Sequence, residues 1–293
     1  MATATLSTGV WPMVRELVSL TKPRVSLLVL LTSAGGLALA EGALPSGRVL
    51  AMLLGMWLVV GCANALNCWM ERESDGLMSR TSKRALPAGR LSPQAALWFA
   101  LVLLVAAIPI LTYLVNPLTG FLGALAVVLY VGVYTPLKSR SPSALVVGAV
   151  PGALPPMMGV TAASGELNSL AWVLFGILFL WQMPHVIGLS CYRKSDYAAA
   201  GIKVLPVVRG DRVAKWHAVL WSLPLVPCSL LLVPLGVGGV VYAVGAALLG
   251  LTYVAATLWG IRRDDGARWG RRLFLVSLFY LPLLFIALML DAV

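Results

Sequence analysis

Charge is scarce in this 293-residue chain: 11% of its residues are Asp, Glu, Lys or Arg, where soluble domains carry about 25%. Cysteine and histidine are scarce too, at four and two residues. Cys62, Cys68, Cys191 and Cys228 form no Cys-x2-Cys pair and lie in or at the ends of apolar runs. That excludes a disulfide framework or a zinc site and leaves them as small packing residues. The sequence has no Cys-x2-Cys-His haem attachment, no Gly-rich P-loop and no Gly-x-Ser-x-Gly elbow. Residues 1–20 lack the basic, apolar and small-residue succession of a signal peptide, and no long Arg/Ser-rich transit segment appears. No removable leader is expected.

What is present is apolar. Hydrophobic residues make up 60% of the chain and the mean hydropathy is +0.91, which excludes a disordered protein or a coiled coil. A helix needs about 20 apolar residues to cross the bilayer core. Nine such runs occur, at about 24–43, 48–70, 94–115, 117–136, 141–163, 167–191, 214–235, 238–261 and 272–291. Transmembrane barrel strands would instead alternate over about ten residues. Pro151-Gly152 and Pro155-Pro156 interrupt the fifth run, where neighbouring helices can satisfy the freed backbone groups.

The charges that exist are unevenly placed. There are 22 Lys and Arg against 11 Asp and Glu, a formal +11. In a soluble protein this would raise nucleic-acid binding; in a membrane protein it reflects Lys and Arg held in cytoplasmic loops. Of the 22 cations, 21 fall in alternate segments between the runs, and Arg48 alone lies on the other side. The reading is an all-α membrane protein, a nine-transmembrane-helix bundle with a cytoplasmic N-terminus and the C-terminus outside, forming one polytopic domain over 1–293. The outer side otherwise carries only Glu41, Glu166 and Asp291. Polar chemistry is therefore expected on the cytoplasmic face, in the long loops 71–93 and 192–213.

At the end of the second run, Asn67, Glu71 and Asp75 stand at i, i+4 and i+8. Each step of four turns a helix by about 40°, so they share one side over roughly 12 Å. Carboxylates at a membrane boundary point to function, and oxygen donors on one stripe suit Mg²⁺ shared with substrate phosphates. A solvated helix end with pairs to Arg72 and Arg80 explains the same spacing. Directly after come Arg80, Thr81, Lys83, Arg84 and Arg90, and a cationic cluster facing an acidic stripe is what a metal-bridged diphosphate needs. Tyr134 and Lys138 open the loop between the fourth and fifth runs, as a phosphate grip or a simple anchor. Asp196 lies between Arg193, Lys194 and Tyr197 on the same membrane side, in a local ion pair or as a second acidic site. His185 follows Pro184 inside the sixth run, as a hydrogen-bonded core residue or a ligand. His217 reads as interfacial.

The stretch Asn67-x3-Glu71-x3-Asp75, followed by Arg80-Thr81-x2-Arg84, resembles the first aspartate-rich motif of the intramembrane polyprenyltransferase (UbiA-type) superfamily, whose nine-helix plan is also similar. Within it the likeness is to the haem-farnesylating branch. It is carried by residues 67–90, Tyr134 to Pro142, Pro155-Pro156-Met157-Met158-Gly159, and Pro184-His185 through Tyr192-Arg193-x2-Asp196-Tyr197 to Leu205-Pro206-Val207-Val208. It spans about residues 20–215. The resemblance implies Mg²⁺-dependent transfer of farnesyl from farnesyl diphosphate to a vinyl group of haem B, at the cytoplasmic face of a bacterial inner membrane. The product would be haem O for haem-copper oxidases, with a haem O-oxidising enzyme or oxidase assembly proteins as candidate partners and no nucleic acid.

By the same resemblance, Asn67, Glu71, Asp75 and Asp196 are the catalytic metal–diphosphate ligands. Arg72, Arg80, Lys83, Arg84, Tyr134, Lys138, Arg193 and Lys194 hold the diphosphate, and His185 and Tyr192 face the haem. The chain departs from the family pattern at Glu71, where Asp is usual, and at Ala85, Ala144 and Val186, where Pro, Asn and an aromatic are common. A quinone precursor as acceptor is the rival within the class. A transporter would place charges deep in the helices, and a non-catalytic assembly factor gives no reason for acidic stripes beside Thr-containing basic loops. Asp75→Ala should abolish prenyl transfer while leaving a folded protein in the membrane. Normal product formation by that variant would remove the metal assignment.

Overall fold

The computed structural model describes residues 9–40, 44–262 and 265–291, with no strand among them. Residues 41–43 of the first expected run, including Glu41, and Arg263 of the last basic loop lie outside the described residues, as do residues 1–8.

The chain begins with α1 (Val10–Leu20), which the run-by-run reading did not foresee. Its apolar residues Val10, Trp11, Met13, Val14 and Val18 are exposed, while Leu20 is buried. That pattern suits a helix lying in a bilayer interface. It meets α2 (Pro23–Leu39) at a 49° bend. At the bend Lys22 takes φ +49°, the left-handed value that side chains usually avoid, and Pro23 starts α2 with its φ already suited to a helix.

The helices α3 (Ser46–Met70), α4 (Arg72–Gly76), α5 (Pro93–Val115), α6 (Pro117–Leu137), α7 (Ala144–Ser164) and α8 (Ser169–Tyr192) follow. Three short helices, α9 (Lys194–Ala199), α10 (Leu205–Val208) and α11 (Gly210–Ser222), lead to α12 (Leu225–Leu230), α13 (Val240–Trp259) and α14 (Gly266–Asp291). Among the described residues seven helices are long and apolar enough to cross a membrane: α3, α5, α6, α7, α8, α13 and α14. The bent pair α1–α2 adds an eighth if taken as one span. The run at 214–235 is divided between α11, α12 and the turns after them. Pro224, Pro227 and Pro234 remove backbone donors and clash with the preceding turn, so no single long helix forms there.

Packing runs α5 on α3, α3 on α2, α2 on α7, α7 on α8, α8 on α14 and α14 on α13. In lipid such contacts depend on close approach and internal polar bonds rather than on hydrophobic exclusion. At the α2–α7 crossing a Cβ on Gly36 would collide with the Pro156 carbonyl, and one on Gly159 with the Ser33 carbonyl. Asn116 caps α6 and donates to the Thr161 carbonyl at 2.8 Å, and the Thr119 and Thr161 hydroxyls lie 3.1 Å apart. Gln182 of α8 donates to the Ala149 carbonyl of α7 at 2.7 Å, two residues before Pro151. These bonds tie α6 and α8 to α7 across the bundle.

Gly159→Ala should lower the melting temperature of the detergent-purified protein, by the equivalent of about 1–3 kcal/mol for an overpacked crossing. Gly47→Ala, where nothing lies within 4 Å of the added carbon, should leave it nearly unchanged. Equal melting temperatures for the two variants would show that the α2–α7 contact yields easily.

Candidate active site

The site is built at one end of α3. Glu71 breaks the helix between α3 and α4, yet its N–H still reaches the Asn67 carbonyl at 3.0 Å, and the Asp75 N–H reaches the Glu71 carbonyl at 2.7 Å. The four-residue register therefore survives the break. Asn67, Glu71 and Asp75 lie on one side, and all three are buried, at 3%, 7% and 1% exposure.

Burying two carboxylates demands compensation, and it comes from three directions. Arg84 donates to Asp75 Oδ2 at 2.6 Å. The Lys138 ammonium lies against Glu71 Oε1 in an ion pair, although that oxygen accepts no directed hydrogen bond. Lys22 donates to Asn67 Oδ1 at 3.0 Å, and the Asn67 amide donates to the Thr135 hydroxyl at 3.3 Å. The pairs with Arg72 and Arg80 that the spacing alone allowed do not form. Arg72 turns to the Trp69 carbonyl and Glu73, and Arg80 is exposed.

Tyr134, Thr135 and Lys138 are delivered by the end of α6, which widens to π-helical geometry over Val128–Tyr134. The Thr135 N–H reaches the Tyr130 carbonyl five residues back, as that wider turn requires, and the Thr135 hydroxyl donates to the same carbonyl at 2.8 Å. Tyr134 packs against Tyr130, with ring centroids 5.3 Å apart, and Lys138 lies 5.8 Å from the Tyr134 ring centre.

The second long loop closes over the first. Ser79 donates to Asp196 Oδ1 at 3.1 Å, and the Lys203 N–H donates to the Lys138 carbonyl at 2.9 Å. The local pair of Arg193 with Asp196 is present but long, at 3.9 Å, and the Arg193 guanidinium lies 4.4 Å from the centre of the Tyr192 ring. Burial above all, with Tyr134 nearby, raises the Tyr197 phenol above its ordinary range against the opposing pull of Arg80, so it remains a neutral donor. Lys194 is drawn away to Asp211 at 2.8 Å, and Lys83 is exposed. His185 lies apart from this cluster, between α8 and α14.

Beside the acidic stripe is a cavity of about 740 Å³, lined by α1, Lys22, Cys68 and the 83–90 loop. Arg15, Lys22, Lys83, Arg84 and Arg90 give it a cationic wall, and Arg90 clamps Glu16 of α1 at 2.5 Å. Lys22, Thr135 and Ser79 were not singled out from the sequence. Thr135 adjoins Tyr134 in a quoted motif, but Lys22 read as one more juxtamembrane cation.

The donors on these two loops are hard oxygens, the set that suits Mg²⁺. Among the described residues no three His, Cys, Asp or Glu side chains form a group able to hold a metal alone. The buried Glu71 and Asp75 carboxylates, each facing a side-chain cation, would share their oxygens with such an ion.

Residues 28–280 match the UbiA prenyltransferase family. A protoheme IX farnesyltransferase from Anaeromyxobacter sp. (strain Fw109-5) is 49% identical over 278 residues, covering 95% of this chain and 94% of that protein. The protein of the same name from Myxococcus xanthus (strain DK1622) is 47% identical, with 95% of each chain covered. Among solved structures, a digeranylgeranylglyceryl phosphate synthase superposes with TM-score 0.82 at 14% identity, covering 96% of this chain and 98% of that one. A UbiA homolog from Archaeoglobus fulgidus bound to GPP and Mg²⁺ superposes with TM-score 0.66 at 17% identity, covering 94% and 99%.

Lys138→Ala should raise the KM for a prenyl diphosphate about tenfold or more, the equivalent of losing one hydrogen bond to a charged group. An unchanged KM would reduce Lys138 to the counter-ion of Glu71.

Proposed function

This chain belongs to the UbiA prenyltransferase family, and on that premise we propose that it transfers the farnesyl group of farnesyl diphosphate to a vinyl group of haem B, making haem O. The observation that carries this reading is the 49% identity over nearly the whole chain to a protoheme IX farnesyltransferase, together with an acidic stripe whose every carboxylate is matched to a cation.

The reaction breaks the allylic C–O bond, so diphosphate leaves and positive charge develops on the farnesyl carbon. The vinyl terminus forms the new C–C bond. Water then supplies the hydroxyl on the carbon next to the ring and loses a proton to solvent, which balances farnesyl diphosphate, haem B and water against haem O and diphosphate. Asn67, Glu71, Asp75 and Asp196 would hold Mg²⁺, and the ion when bound neutralises charge on the diphosphate. Arg84 and Lys138 stand against the carboxylates and take the departing diphosphate from the other side, as pre-placed charges do. Arg80, Lys83 and Arg193 add to that field from the loop surface, and Tyr134 and Tyr197 offer neutral phenols. Arg72 and Lys194, each engaged elsewhere, contribute only to the surrounding potential. The apolar helices beneath exclude water from the developing cation.

Nine membrane crossings accommodate all of this, counting α1–α2 as one and α11–α12 as another. The alternation of cations supports a cytoplasmic N-terminus, an outer C-terminus and a site facing the cytoplasm from a bacterial inner membrane. The whole of 1–293 acts as one domain. An oxidase assembly protein or a haem O-oxidising enzyme is the partner that such a product calls for.

The test is one assay on protein in detergent with haem B, farnesyl diphosphate and Mg²⁺. The expected product is heavier than haem B by one farnesyl plus water and is lost with EDTA. Transfer to a quinone-type aromatic acid and not to haem would overturn the acceptor while keeping the reaction class.

A further inference from the structure

The turn between α13 and α14 supplies no residue to the acid–cation cluster, yet it concentrates positive charge. Five of the eleven residues 262–272 are arginine and two are aspartate. Arg268 pairs with Asp265 at 3.0 Å. Arg262, Arg271 and Arg272 are exposed, and among the described residues no carboxylate forms an ion pair with them. The Arg272 guanidinium lies 4.5 Å from the centre of the Trp259 ring, a cation–aromatic contact that places it at the last residue of α13.

The same pair stands at a groove of about 450 Å³ between the two helices, lined by Ala256, Trp259, Arg272, Leu273, Leu275 and Val276. The guanidinium and the indole N–H apart, these side chains offer only hydrocarbon. Ala256 lies one turn before Trp259 on α13, and its single methyl group leaves the space open. Along α14, Arg268, Arg272 and Val276 stand at four-residue steps, as do Arg271, Leu275 and Phe279. Two neighbouring rows on one side of the helix thus pass from cation to hydrocarbon within about 6 Å of its length. Leu275 and Phe279 are exposed, at 44% and 65%.

The apolar run of α14 begins at about residue 272, so the two arginines fall at the boundary between headgroups and acyl chains, where membrane helices keep their basic residues. A cation that only sets orientation needs no groove beneath it, and a groove that takes any lipid needs no arginines at its mouth. Together they match one molecule. Guanidinium forks fit phosphate oxygens, and basic pockets between transmembrane helices suit anionic headgroups. A zwitterionic headgroup would bring its own ammonium against the same arginines. We propose that the α13–α14 groove holds an acyl chain of an anionic phospholipid whose phosphate is bound by Arg271 and Arg272. This site is separate from the acidic stripe and stands whichever acceptor is prenylated.

Native mass spectrometry of the detergent-purified protein, titrated with phosphatidylglycerol or phosphatidylcholine of the same chain length, reads the retained lipid directly. The wild type should retain one phosphatidylglycerol at least tenfold more tightly than phosphatidylcholine, roughly what two interfacial arginines supply. Arg48→Gln, at an exposed cation outside this turn, should behave as wild type. The double variant Arg271→Gln with Arg272→Gln, both at exposed positions, should lose the preference. Ala256→Phe should lose the tightly held lipid while keeping both arginines, which separates the groove from the charge. Equal retention of the two lipids by the wild type, or a preference unchanged in the double variant, overturns the proposal. Tight retention by Ala256→Phe, or complete displacement of the lipid by millimolar inorganic phosphate, would show an anion site with no chain in the groove and overturns it as well.

Discussion

Carboxylates can be buried at the end of an apolar helix only if cations are brought to them, and that pairing organises this end of the bundle. Asp75 is 1% exposed and Glu71 is 7% exposed. Each is met by a cation from a different element, Arg84 from the first long loop and Lys138 from the end of α6. Removing either partner would strand a charge in a poorly solvated place. The loop, α6 and the turn at Lys22 are therefore held in register by these few polar atoms. Such pairs contribute position more than net stability, since desolvation offsets much of the attraction.

The bundle beneath departs from regular helix wherever the site needs it to. The π-helical end of α6 brings Tyr134, Thr135 and Lys138 to the acidic stripe. The left-handed Lys22 turns its ammonium onto Asn67. Strained or widened backbone persists only where surrounding contacts determine it, and here the contacts are a hydrogen bond to Asn67 in both cases. Gln182 and Asn116 donate to carbonyls of α7 and tie it to its neighbours. Glycines at 36 and 159 then let α2 and α7 touch. The α8–α14 seam is organised differently, through aromatic rings and one serine rather than through charge.

The apolar runs, the alternation of cations and the four-residue spacing of Asn67, Glu71 and Asp75 could be read directly from the chain. Each depends on a local period: run length against bilayer thickness, loop charge against orientation, and side-chain direction against helix pitch. The spacing did not name the partners of those acids. Arg72 and Arg80 were the near neighbours, yet Lys138, more than sixty residues on, is the one that meets Glu71. Lys194 looked like a phosphate ligand and pairs with Asp211. The run at 214–235 looked continuous by hydropathy, while its prolines divide it. The α1 helix escaped notice because its alternating faces lower the mean hydropathy of the segment.

Local sequence thus determined which segments are apolar, which ends are basic and which three side chains share a face, because these follow from composition and a fixed helical period. Tertiary structure decided which cation reaches which acid, where Lys22 points and that Ser277 meets His185. The Lys22–Asn67, Lys138–Glu71 and Ser277–His185 contacts join residues 45 to 92 positions apart, and only the packing of whole helices brings such distant atoms within reach.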